Sequence, residues 1–148
     1  MSMAGLSVFD TTIQKTNLWL HELMEDLGWD SRQKAYHALR CVLHELRDHL
    51  PVNEAVHLGS QLPMLVRGFY YEGWRPAGKP VKDHSAEQFL ITISEEFPKD
   101  ANNDAEKVIH AVFCLLSDHI PGGEIDKVIS VLPKPLRRFW LEFRPLET

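Results

Sequence analysis

No run in this 148-residue chain approaches the ~20 consecutive apolar residues that a bilayer-spanning helix needs, so a membrane protein is not expected. Basic charge is scarce too. Sixteen Lys and Arg against 21 Asp and Glu leave a net charge of −5 and a pI near 5.9, which disfavours a general nucleic-acid binder, because phosphate contacts need clustered cations. With only two cysteines, Cys41 and Cys114, there is no disulfide framework. Each lies in an apolar helical pattern and is expected to be a buried, reduced thiol. The opening MSMAGLSVFD lacks the basic start and apolar stretch of a secretory leader, which makes the cytoplasm the expected compartment. There is no HExxH, CxxC, Gly-rich phosphate loop or GxSxG turn, so no reaction is supported and no cofactor is expected.

What is present is a globular composition, 44% apolar and 25% charged, of a size that suits a single domain spanning 1–148. Within it the chain repeats itself. Displaced by 70, Ala35–Tyr70 overlies Ala105–Trp140 without a gap, with 12 of 36 positions identical, where ordinary residue usage gives roughly two. Upstream an offset of 80 pairs Phe9 with Phe89 and Ile13 with Ile93, implying that about ten residues are missing near PKDANND. Internal repeats of about 7–72 and 84–143 follow, joined by residues 73–83.

Ala35, Ala38, Leu39, Val42, Leu46 and Leu50 follow the spacing of one helix face. Their partners Ala105, Val108, Ile109, Val112, Leu116 and Ile120 are all apolar. Each copy reads as a first helix (about 7–27 and 84–97), a long second one (31–49 and 102–119) and two short ones (51–60 and 63–72; 121–131 and 133–142). Asp30-Ser31 and Asn103-Asp104 are the expected N-caps of the long helices. The fold class is therefore all-α: about eight helices in two tandem four-helix repeats packed as one compact bundle, on a pseudo-two-fold axis.

The motif Asp-His-aliphatic-Pro-x-x-Glu occurs in both copies, at Asp48 and Asp118. Pro51 and Pro121 suit the first position of a helix, Glu54 and Glu124 its positively polarised first turn, and His49 and His119 the end of the preceding helix. Asp48, Arg67, Asp118 and Arg137 remain, and the repeated Asp and Arg suggest structural clamps Asp48–Arg67 and Asp118–Arg137. An Asp-His dyad is disfavoured, since adjacent helical residues point in different directions and no nucleophile recurs with them.

His37, Cys41, His44 and Asp48 advance by 4, 3 and 4 along one helix, a spacing able to face a metal. The second copy does not keep the set, so a polar helix face is preferred. Glu54 and His57 have the Glu-x-x-His spacing of di-iron bundles, but the second copy has Lys127 where another His is needed. In RGFYYEGWRP, Phe69 and Tyr70 recur as Phe139 and Trp140 and belong in the core. Tyr71, Trp74, Arg75 and Lys79 do not recur, and an amphipathic Trp beside basic side chains is the candidate interaction surface.

The stretch AYHALRCVLHELRDHLPVNEAVHLGSQLPMLVRGFYYEGWRP resembles the bacterial family named domain of unknown function 2267 over about residues 5–143. The resemblance implies an all-helical protein and carries no reaction, cofactor or catalytic residue. The leading functional expectation is a non-enzymatic cytosolic interaction module, with an unknown protein partner or self-association and neither nucleic acid nor membrane. The alternative is a small-ligand or metal-binding helical protein, or an enzyme, with a His-lined cavity between the repeats.

Overall fold

The computed structural model describes residues 5–82, 85–97 and 104–141. They form eight α-helices and, among the described residues, no strand: α1 Ser7–Leu27, α2 Arg32–Asp48, α3 Val52–Ser60, α4 Met64–Tyr71, α5 Ala86–Glu95, α6 Ala105–His119, α7 Gly122–Val131 and α8 Lys134–Leu141. The expected helix limits at residues 84, 102 and 142 fall outside the described residues, as does most of PKDANND.

Local chemistry sets the boundaries. Ser31 caps α2 by accepting a hydrogen bond from the Lys34 amide at 3.1 Å, and Asp104 caps α6 by accepting from the amides of Glu106 and Lys107. Gly28 ends α1 at φ 68°, a left-handed turn that lets the Trp29 amide reach the Met24 carbonyl. Pro51 and Pro121 sit one residue earlier than expected. With φ/ψ of −54°/145° and −52°/139° they are extended residues immediately before α3 and α7, and the helices start behind them.

The long helices α2 and α6 form the centre. Ala35, Ala38, Leu39, Val42, Leu46 and Leu50 have no exposed surface, and Val108, Ile109, Val112, Leu116 and Ile120 are buried beside them. Each such Val, Leu or Ile contributes about 1.5–3 kcal/mol by leaving water. Helix α1 packs on both α2 and α6, and α5 likewise on α6 and α2; α4 closes over α2 and α8 over α6, while α3 meets α7. Two aromatic contacts join the beginning and end of the chain reciprocally. His119, ending α6, stacks on Trp19 of α1 at 4.9 Å, and His49, capping α2, packs on Phe89 of α5 at 5.2 Å.

Burial does not follow the offset of 80 between α1 and α5. Phe9 and Ile13 are 44% and 41% exposed, whereas Phe89 and Ile93 are buried. Trp19 and Leu23 occupy the buried positions of α1, and they precede Phe89 and Ile93 by 70. Phe9 and Ile13 thus lie on the solvent-facing start of α1, and its buried stripe is carried by Trp19 and Leu23.

A buried arginine ties the end of α4 to α2. Arg47, 4% exposed, donates to the carbonyls of Tyr70 (2.7 Å) and Glu72 (3.0 Å) and pairs with Asp48 at 2.9 Å. The Val81 amide then donates to the Asp48 carbonyl, docking the 73–82 connection on the same helix end. At the position 70 residues on, Ser117 accepts from the Trp140 indole N–H at 2.8 Å.

Candidate functional site

The two expected Asp–Arg clamps do not form. Asp48 is paired with its neighbour Arg47, and the Arg67 guanidinium donates to the carbonyls of Gly59, Ser60 and Leu62. Arg137 likewise donates to Leu132 and Ser130, while Asp118 is exposed. The carbonyls that a helix C-terminus leaves unpaired are closer to these arginines than any carboxylate, and they take the Nε and Nη2 donors of both. Arg67 and Arg137 thus tie the end of α3 to α4 and the end of α7 to α8.

Of the candidate interaction residues, Arg75 is exposed and Tyr71, Trp74 and Lys79 are half-buried. Tyr71 and Trp74 lie against each other, ring centroids 5.5 Å apart, and the Tyr71 hydroxyl donates to the Val56 carbonyl at 3.2 Å. Gly59 makes room for this arrangement, because a Cβ there would stand 2.3 Å from the Tyr71 hydroxyl. The Trp74 indole nitrogen is buried without an acceptor among the described residues.

The histidine face of α2 splits. His44 turns inward and donates from Nε2 to the Phe69 carbonyl at 2.6 Å, and burial lowers its pKa. His37 and Cys41 stay together, with Sγ 3.7 Å from Nε2, but their third neighbour is Glu96, just beyond α5. Burial, reinforced by the Glu96 carboxylate, pushes the Cys41 thiol up to about 12, so it is protonated and poorly suited to bind a metal. One turn on, burial and then Asp48 raise Glu45 to about 7, against the opposing pull of Arg47 and Lys79.

The raised Glu45 makes stability depend on pH. A carboxyl whose folded pKa exceeds its unfolded value holds more protons when folded, so the fold loses stability as pH rises from about 4.5 to 7. Glu45→Gln should therefore be more stable than wild type at pH 8 and equal to it at pH 4. The gain should be on the order of 1–2 kcal/mol, below the full worth of the shift because the side chain keeps some solvent contact. Urea midpoints at the two pH values measure it, and equal midpoints at pH 8 would refute the assignment.

A second cluster straddles α3 and α7. Glu54 and Glu124, the third residues of these helices, are each 8% exposed, and the carboxyls lie near enough to share a proton. His57, one turn beyond Glu54, donates from Nδ1 to Glu124 Oε2 at 2.7 Å and lies 3.6 Å from Glu54 Oε2. Burial first, and then Glu54, raise Glu124 to about 7. Apart from such a shared proton, Glu54 Oε2 and Glu124 Oε1 are buried with no hydrogen-bond partner among the described residues. Both glutamates read from the sequence as helix-start residues; the available signal was that they stand at corresponding positions of the motif, 70 residues apart.

Eight helices around a core of α2 and α6, with a buried carboxyl pair and a histidine where α3 meets α7, define an all-α helical protein whose polar cluster is built from separate segments of the chain. The chain belongs to the family described as "Uncharacterized conserved protein (DUF2267)", whose model matches residues 16–139. This agrees with the family resemblance carried by its motifs, and the match reaches from the middle of α1 into α8. No curated protein matches the chain. Among the described residues no helix is long and apolar enough to cross a membrane.

Proposed function

We propose that the chain is a non-enzymatic cytosolic interaction module, built of two tandem four-helix repeats, that self-associates through a groove between α1 and α4. The carrying observation is the exposure of Phe9, Ile13, Met64 and Leu65, at 44%, 41%, 48% and 45%, along an open groove of about 730 Å³. Contiguous apolar surface of this kind marks association sites on soluble proteins. Residues 7–15 of α1, which supply Phe9 and Ile13, lie outside the family match, and Met64 and Leu65 are answered 70 residues on by Lys134 and Pro135. The groove is thus peculiar to the first half, as expected of a surface added for binding rather than for folding.

A face that carries both projecting side chains and a groove is suited to a two-fold dimer, in which each copy fills the other. Arg75, exposed beside Trp74, remains a candidate contact for a partner in its own right. The tandem reading is supported by the reciprocal His49–Phe89 and His119–Trp19 contacts and by the matched bonds of Arg67 and Arg137. Two unpaired thiols fit a reducing compartment. One observation favours the alternative of a ligand- or metal-binding protein, the meeting of Glu54 and Glu124.

The double variant Met64→Glu, Leu65→Lys changes only exposed side chains, so its helicity should match wild type. Light scattering at tens of micromolar, on the order of a weak homodimer's dissociation constant, should give a dimer for the wild type and a monomer for the variant. A monomeric wild type, or a variant that dimerises equally, would overturn self-association through this groove.

A further inference from the structure

We infer that Glu54, His57 and Glu124 form a binding site for a divalent transition cation of the zinc class, held across the contact of α3 with α7. One ligand atom from each residue lies within 4.8 Å of the others. Two ligands at tetrahedral positions around zinc stand about 3.4 Å apart. The 3.6 Å from His57 Nδ1 to Glu54 Oε2 already has that spacing, and the 2.7 Å to Glu124 Oε2 needs only a small opening.

The buried oxygens carry the case beyond a mere group of acids. Glu54 Oε2 and Glu124 Oε1 are out of water, on side chains more than nine-tenths buried, and apart from a proton that the two carboxyls can share no donor among the described residues reaches them. Buried carboxylates are normally paired or bound to metal. The single imidazole beside them brings at most one positive charge. Lys127, which stands where a second histidine would complete the repeat, is exposed, and its pull on Glu124 is weaker than that of His57. A divalent cation would neutralise both carboxylates at once and occupy the unpartnered oxygens.

Ligand chemistry selects the ion. One imidazole nitrogen with two carboxylates suits zinc and its first-row neighbours, whereas calcium and magnesium take oxygen sets of six or more. The half-exposed ring of His57 leaves one side of the site open, so water would complete the coordination. The Glu-x-x-His of α3 is thereby completed by a carboxylate from α7 instead of by a second copy of itself. This site is independent of the groove between α1 and α4.

The test is zinc titration of the chelator-treated full chain by calorimetry. Wild type should bind one zinc per chain, and its thermal midpoint should rise on addition. Glu124→Gln, which keeps the shape of the side chain, and His57→Ala should each weaken binding by more than about 100-fold, since even groups that merely orient a ligand are worth 10–100-fold. Circular dichroism should show both variants folded, and His37→Ala should bind zinc like wild type. Two results would overturn the site: wild-type protein that takes up no zinc, leaving a carboxyl pair that shares a proton, or binding lost with His37→Ala and kept in Glu124→Gln.

Discussion

Arg47→Ala should lower the stability of the chain by about 3–5 kcal/mol, the range for removing one partner from a buried charge pair. Three acceptors lose their donor together: the carbonyls of Tyr70 and Glu72, and the carboxylate of Asp48. The Tyr70 carbonyl is buried with its residue, and no water takes the place of the guanidinium without a cavity opening. Arg67→Ala is the natural comparison, since it also removes bonds to carbonyls. Arg67 is itself exposed, however, it has no buried carboxylate partner among the described residues, and the Ser60 carbonyl it leaves can turn to solvent, so the loss should be smaller, about 1 kcal/mol. Urea denaturation of both variants measures the contrast. Equal losses would mean that burial of the Arg47 network contributes little.

That contrast also shows where the sequence is legible. The stripe Ala35–Leu50 and its counterpart are plain because burial on a helix imposes a period, and the period survives substitution of one aliphatic residue by another. Capping is equally plain, since Ser31 and Asp104 act through bonds to amides three residues away or fewer. Arg47 was hidden by the repeat itself. Its counterpart is Ser117, so a search for shared residues passes over it and settles on Asp48 and Arg67, which do recur but do not pair.

The Glu54–His57–Glu124 cluster was hidden for another reason. Its members are local helix-start residues in the sequence, and they become a site only when α3 packs on α7, a contact between segments some seventy residues apart. Pattern along one helix carries no information about which helix faces it. The same limit explains Phe9 and Ile13, whose spacing is apolar and helical yet whose face has no helix laid over it among the described residues.

Cut in the exposed loop at Gly78, the chain should yield two fragments that are each largely unfolded and that regain helix when mixed. The core is shared between them: α1 needs α6, α5 needs α2, and the reciprocal ring contacts of His119 with Trp19 and of His49 with Phe89 exist only when both are present. Helices α3, α4, α5, α7 and α8 are 8–10 residues long, below the roughly 12–15 at which even a favourable isolated helix becomes marginal in water. A fragment of some seventy residues would moreover expose the inner face of α2 or α6, the two helices that carry the largest share of the buried aliphatic side chains. Circular dichroism of each fragment should show less than about half the helix of the intact chain, with one cooperative unfolding transition restored on mixing. A fragment that unfolds cooperatively by itself would show that one half holds a core of its own, and the reciprocal contacts would then join two finished units instead of completing one.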